Sequence, residues 1–223
     1  MQHSRTTAVP RSPAHRQWTP LARGLIATGD HWTLAIALQL APGAVRLTRL
    51  RSRLPGISTG VLDRYLQQMV ALGLLTRTRF REMPPRVELE LTESGRELLP
   101  IAAALARWGM RHVWSEPRRG EQVDVSALLR LLPVLLEEET ALPDGTLETV
   151  IDNRGQAIRH VFQIERGHLQ AADRPDHAPS ACVTGNADAW IAALGPECNY
   201  EKLRFTGNEE LARSVLDARL GHT

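Results

Sequence analysis

Residues 48–91 read TRLRSRLPGISTGVLDRYLQQMVALGLLTRTRFREMPPRVELEL. The stretch predicts a short helix from Thr48 to Leu54, a tight turn at Leu54-Pro55-Gly56-Ile57, and a second helix from Ser58 to Leu72. Pro55 disfavours helical continuation in the residue before it, and Ser58 and Thr59 are both competent helix caps. Beyond the second helix, LLTRTRF and RVELELT alternate as strands do, and Met83-Pro84-Pro85-Arg86 breaks them into a hairpin. Helix, turn, helix and basic ribbon is the layout of a winged helix-turn-helix, a unit that lays its second helix in the major groove of DNA.

Within the second helix, Leu62, Tyr65, Leu66, Met69 and Leu72 step by three or four and define a core face. Ser58 and Thr59 at its start and Gly60, Asp63, Arg64 and Gln67 on its other side are the candidates to meet DNA. Arg and Gln match guanine and adenine edges, and a glycine permits close backbone approach. Asp63 either accepts from cytosine or orients Arg64. The plain alternative for such a face is ordinary solvent exposure. In the preceding helix Arg49, Arg51 and Arg53 add positive charge, with Arg49 counted among the DNA contacts. Arg77, Arg79, Arg81 and Arg86 surround the hairpin tip, where they suit phosphate or minor-groove contact. Glu88 and Glu90 are expected to pair across to Arg77 or Arg79, leaving Arg81 and Arg86 freer for DNA.

Working outward, a helix is expected over Leu21–Thr28, and Asp30 is a good cap for HWTLAIALQL, which stops at Ala41-Pro42-Gly43. That second segment is apolar on most sides, at Trp32, Leu34, Ile36, Leu38 and Leu40, so it should be buried. Thr92 caps a long helix running from Glu93 to about Val113. Its apolar residues Leu98, Leu99, Ile101, Leu105, Trp108 and Val113 exceed the needs of one small domain. Homodimerisation through this helix and the N-terminal helices is one use for them. Packing on the second half of the same chain is the other.

The chain has 223 residues, 43% of them hydrophobic, enough for one large domain or two ordinary ones. Net charge is +2, yet residues 1–114 hold 16 Arg against 7 Asp and Glu, a balance of +9, and residues 115–223 balance at −7. A basic half beside an acidic half implies two domains, the first with a polyanionic partner. The expected division is a disordered arm over 1–17, the winged domain over 18–114, a linker over 115–124 carrying SEPRRGE, and a second domain over 125–223. Two cysteines, Cys182 and Cys198, make no disulfide scaffold. No apolar run is long enough to span a membrane and the N-terminus lacks a signal core, so a soluble cytoplasmic protein is expected.

The acidic half opens with VSALLRLLPVLLEEE (125–139), a helix interrupted or kinked at Pro133. LETVID, AIRHVFQIERGHLQAA and SACVTG follow as strands, and then come a helix ADAWIAALG, a strand KLRFTG and a helix EELARSVLDARL. The fold class is therefore α+β, with an antiparallel sheet carrying helices on one face in this half. The eight histidines show no zinc-ligand spacing, and there is no nucleophile elbow, phosphate loop or dinucleotide fingerprint. Glu137-Glu138-Glu139 is most simply a solvated helix end. No catalytic residue, metal or cofactor is expected, and the chain is not read as an enzyme.

GDHWTLAIALQL, LPGISTGVLDRYLQQMVALGLLTR, MPPRVELELTESGREL and LARWG together resemble the HxlR family of bacterial winged-helix transcriptional regulators, over about residues 18–112. The resemblance implies a dimer on a roughly palindromic DNA operator, with the Ser58–Leu72 helix as reader. Several members carry a redox-sensing Cys-Pro pair before the first helix. Thr19-Pro20 stands there in this chain, so a thiol switch of that type is not expected. In the acidic half, VTGNADAWIAAL and LRFTGNEELARSVL are similar to small ligand-binding domains of the sterol-carrier-protein type. That similarity implies an apolar tunnel for a hydrophobic small-molecule effector, with Val150, Val161, Phe162, Ile164, Val183, Trp190 and Leu194 as candidate lining. A packed core uses the same residue types. The alternatives are a hydrophobic-ligand carrier or sequestering protein that keeps the winged domain for dimerisation, and an enzyme built on the second half.

Overall fold

The computed structural model describes residues 18–29, 31–54, 56–81, 83, 85–121, 123–136, 142–153, 156–172 and 178–218. The N-terminal arm, the Asp30 cap, Pro55 of the turn, Pro84 of the hairpin tip and Glu137-Glu138-Glu139 lie outside them. Helix α1 (Pro20–Thr28) starts where the Thr19 hydroxyl accepts from the Ala22 N–H at 3.1 Å, with Pro20 in the first helical position. Helix α2 (His31–Leu40) buries Thr33, Ile36, Ala37, Gln39 and Leu40, residues that point in several directions around its axis. Trp32, Leu34 and Leu38 are only half-buried.

The helix pair follows as α3 (Leu47–Arg53) and α4 (Thr59–Ala71). Leu62, Tyr65, Leu66 and Met69 of α4 join Ile36, Ala37 and Leu40 of α2 in one core. Leu72 does not belong to that face. The helix ends there, and Gly73 takes a φ of +71° that only glycine adopts without strain. The Gly73 and Leu74 N–H groups bond back to Val70 and Met69 carbonyls, a Schellman arrangement. The reversal sends Leu74 into the core and leaves Leu72 47% exposed.

Strands β2 (Leu75–Phe80) and β3 (Arg86–Leu91) form the expected hairpin. A third strand, β1 (Val45–Arg46), adds to the free edge of β3, giving an antiparallel sheet ordered β1-β3-β2. Two residues are too few to show an alternation, so the sequence carries no sign of β1.

The long helix is divided into α5 (Glu93–Arg96) and α6 (Leu98–His112). Pro100 is the cause. It has no N–H for the Arg96 carbonyl, and its ring crowds that carbonyl. The Thr92 hydroxyl caps α5 from Gly95 N at 3.1 Å and also donates to the Gly73 carbonyl at 2.6 Å, tying α5 to the end of α4. Gly95 sits so close to the Leu74 carbonyl that a Cβ there would collide with it.

Helix α7 (Val125–Leu135) is capped by the Asp124 carboxylate on Ala127 N at 3.0 Å and runs through Pro133 without ending. It is followed by β4 (Gly145–Asn153), β5 (Gln156–Glu165), β6 (His168–Ala172), β7 (Ala181–Asn186), α8 (Ala187–Leu194), β8 (Arg204–Gly207) and α9 (Glu209–Ala218). The sheet order is β6-β5-β4-β7-β8. The sheet is mixed rather than antiparallel, because β7 runs parallel to β4, with Leu147 opposite Ala181 and Ile151 opposite Gly185. The chain leaves the β4-β5-β6 meander at its far edge and re-enters on the other side of β4, and that crossing sets the parallel direction. Leu147, Ile151, Phe162, Ile164 and Val183 share a core with residues of α7, α8 and α9, so all three helices cover one face.

The two halves meet along α7, which packs on α2 and α6. Arg107 of α6 donates to the Leu135 carbonyl at 3.2 Å. Below this contact the N-terminal end of α7 gathers charge. Arg130, with a side chain only 9% exposed, lies 3.6 Å from Asp124, and Arg53 of α3 donates to the Gln39 carbonyl at 3.3 Å. His160 of β5 meets Ser126 Oγ at 3.0 Å. Burial, reinforced by the positive fields of Arg130, Arg53 and Arg49, pushes the His160 imidazole down to about 4. Burial likewise lowers Arg130 to about 10 against the opposing pull of Asp124.

His160 is therefore neutral in the fold, whereas in the unfolded chain it titrates near 6.5. Its contribution is complete above pH 6.5 and is lost as pH falls toward 4, because there only the unfolded chain takes up the proton. Urea unfolding from pH 7 to pH 4 is expected to show a loss on the order of 3 kcal/mol in the parent that His160→Gln lacks. Equal acid sensitivity of the two proteins would remove His160 as the cause.

Candidate nucleic-acid interface

The entry of α4 is built by Ser58, whose hydroxyl accepts from the Val61 N–H at 3.3 Å and replaces a missing helical partner, worth about 1 kcal/mol. With the Leu62, Tyr65, Leu66 and Met69 stripe sealed beneath, Ser58, Thr59, Gly60, Arg64 and Gln67 are all exposed. The structure thus brings these five together along one outward strip from the N-cap through the second turn. Arg64 lies 5.5 Å from the Tyr65 ring, and among the described residues no acid pairs with it.

Asp63 has a different place. Its carboxylate lies 3.5 Å from the Arg51 guanidinium, so it braces α3 against α4 rather than orienting Arg64. Both partners are more than a third exposed, which limits the pair to a few tenths of a kcal/mol. The three arginines of α3 fan apart. Arg51 faces α4, while Arg53 and, one turn before it, Arg49 reach toward α7, where both charges act on Arg130 and His160. Arg49 is exposed, and its charge adds to the field on Arg130 and His160.

The hairpin register corrects the reading of the wing. Leu75, Arg77 and Arg79 stand opposite Leu91, Leu89 and Val87, whereas Thr76, Thr78 and Phe80 stand opposite Glu90, Glu88 and Arg86. Directly opposed residues share a face, so the two glutamates cannot reach Arg77 or Arg79. Glu88 instead pairs with Arg86 at 3.2 Å, and Glu90 with Arg96 at 3.7 Å. The Arg86 guanidinium also lies 4.4 Å over the Phe80 ring. Arg86 is therefore committed within the hairpin, and Arg79 and Arg81 are the exposed cations without an acidic partner among the described residues. Counting parity outward from the buried Leu75 is the signal that distinguishes Arg79 from Thr78.

The proposed ligand lining divides between the two faces of the second sheet. Phe162, Ile164, Val183 and Trp190 are closed into the core, each 1% exposed or less. Val150 and Val161 alternate onto the opposite face and are not part of that core cluster. The Trp190 indole donates to the Val150 carbonyl at 3.0 Å, which satisfies its polar group. Leu194 borders an apolar cavity, which lies between α6 and α7. Among the described residues no cluster of three or more His, Cys, Asp or Glu is placed to hold a metal ion, and no helix is long and apolar enough to cross a membrane.

Residues 27–117 match the family profile described as HxlR-like helix-turn-helix. An uncharacterized HTH-type transcriptional regulator of Methanothermobacter thermautotrophicus is 34% identical over 94 residues, covering 42% of this chain and 72% of that protein. The chain belongs to the HxlR family. The Bacillus subtilis HTH-type regulator YtcD is 34% identical over 85 residues, which cover 38% of this chain and 68% of the relative. A solved structure of an HTH-type regulator ytcD is 31% identical, covers 43% of this chain and 98% of its own, and superposes with a TM-score of 0.41. This HxlR-family chain is thus a DNA-binding transcriptional regulator of the helix-turn-helix type, and its α4 is the second helix of that unit.

The register makes a distinction that titration with DNA can read. Arg79→Ala is expected to weaken binding to all duplexes alike and to reduce the salt slope by about 1, as loss of one phosphate contact does. Arg86→Ala is expected to leave the slope unchanged, and the reverse pattern would refute the assignment.

Proposed function

We propose that this regulator binds a roughly palindromic operator as a homodimer and responds to a hydrophobic small molecule held by its C-terminal half. The observation that carries the DNA part is the α4 strip of Thr59, Gly60, Arg64 and Gln67, exposed beside a wing edge with Arg79 and Arg81. Arg64 and Gln67 are the base readers in this reading, and Ser58 and the wing arginines hold the backbone.

Support for dimerisation comes from apolar side chains that the chain leaves uncovered. Ile101, Leu105 and Trp108 recur along the outer side of α6 and are each more than half exposed, and Trp18, Leu21 and Leu25 do the same at α1. Two such stripes rarely face water in a monomer. A twofold pair of winged domains reading successive major grooves places half-site centres about 10 bp apart or at a multiple of that.

The five-stranded sheet under three helices supports a sterol-carrier-like second domain, which in this reading senses an effector and performs no catalysis. An effector regulates only if it binds one spacing of the two α4 helices better than another. The direct test is titration of a duplex from upstream of the protein's own gene against a scrambled duplex in rising salt. Specific binding with a steep salt slope is expected, and Arg64→Ala should cost about 1–3 kcal/mol and relax specificity at one position. An Arg64→Ala protein that binds its matched operator like the parent would overturn the base-reading assignment.

A further inference from the structure

We infer that the cavity between α6 and α7 is a binding site for an uncharged aromatic molecule of about one ring. The inference rests on the small-molecule sensing reading above, and it moves the site from the interior of the second domain to the seam between the halves. The cavity measures about 190 Å³, is partly open to solvent, and is lined by Ala106, Gly109 and Met110 of α6, Leu128 and Leu131 of α7, and the partly exposed Trp114. Apart from the Trp114 indole, its lining presents no polar side chain. A closed apolar cavity of about 150 Å³ accepts benzene, so the volume here suits a ring with one small substituent that keeps one edge toward solvent. A charged ligand would lose its hydration and find no counter-charge inside.

Gly109 is the second observation. A glycine inside a helix costs about 1 kcal/mol relative to alanine, and it is commonly explained by a neighbouring backbone that leaves no room for a Cβ. No such neighbour exists here, since a Cβ at Gly109 would meet no atom within 4 Å. The missing side chain leaves that space to the cavity Gly109 lines, one turn from the small Ala106. Met110 adds a polarizable sulfur of the kind that packs well on aromatic rings. A second pocket shares Trp114 and Leu128 and is bordered by Glu121 and Asp124, so a ring bearing a hydrogen-bond donor fits this end and an anionic ring does not.

The position links occupancy to DNA. The stripe of Ile101, Leu105 and Trp108, assigned above to the dimer, runs beside the cavity, since Leu105 stands one turn before Gly109 on α6. A ring seated between α6 and α7 biases the placement of that stripe and, through it, the spacing of the two α4 helices.

Calorimetric titration of the full chain without DNA tests the site, with toluene as the probe and benzoate as its charged counterpart. Toluene is expected to bind with a Kd of about 1 mM or tighter and to raise Tm, while benzoate does neither. Gly109→Leu should weaken toluene binding by about tenfold or more, with the far-ultraviolet dichroism of the parent. Gly109→Ala, which gains helix propensity, should remain folded and bind toluene less tightly than the parent. Absence of toluene binding in the parent, or undiminished binding in a folded Gly109→Leu, would overturn the site. Operator titration with and without toluene separates the two levels: toluene bound with operator affinity unchanged supports the site and overturns its role in sensing.

Discussion

The structure depends on the burial of α2. This helix is apolar around most of its circumference, so no orientation on a surface satisfies it, and it must lie inside. Ile36, Ala37 and Leu40 are without measurable exposure. Around them α3, α4 and β3 close the winged domain, and α6 and α7 cover the remaining sides. The same burial that positions α4 therefore also docks the second half. The Arg53 bond to the Gln39 carbonyl at the end of α2 reinforces this arrangement.

On the DNA side, two local devices set what α4 presents. The Schellman turn at Gly73 reverses the chain so that Leu74 and Leu75 enter the core, and Leu75 then fixes the parity of β2. From that parity it follows which arginines of the wing meet threonine-glutamate pairs and which meet apolar partners. A slip of one residue would exchange the roles of Arg79 and Thr78. The described acidic residues of the wing consequently neutralise Arg86 and Arg96 and leave Arg79 and Arg81 without an acidic partner among the described residues.

At the seam, the charges of Arg49, Arg53 and Arg130 all bear on His160, and Asp124 offsets two of them. Arg49 and Arg53 come from the helix before α4, Arg130 and His160 from the second half, and Asp124 is the carboxylate whose pull opposes the burial cost of Arg53 and Arg130. The interface between the halves is thus polar at the N-terminal end of α7 and apolar along its length toward Leu135, where the cavity lies.

Much of this was legible in the sequence. Hydrophobic periodicity, Pro and Gly punctuation and capping residues are local signals, and they sufficed for α3, α4, the hairpin, the α+β character of the second half and the outward strip of Ser58, Thr59, Gly60, Arg64 and Gln67. The family followed from the same phrases, because its motifs are local too. What escaped depended on partners distant in the chain. The two-residue β1 exists only because β3 offers it an edge, and the parallel β4–β7 pair needs a crossover that no spacing announces. Asp63 had two near neighbours to choose from and took Arg51 of another helix. Arg86 looked available until the register placed Phe80 and Glu88 on its face. Residue type does not distinguish a packed core from a cavity wall; only tertiary packing closed Phe162, Ile164, Val183 and Trp190 and opened a space beside Gly109. The sequence by itself determined the elements and their chemistry, because those follow from interactions within a few residues. Register, faces and voids were decided by the tertiary structure, because each is a relation between segments that only folding brings into contact.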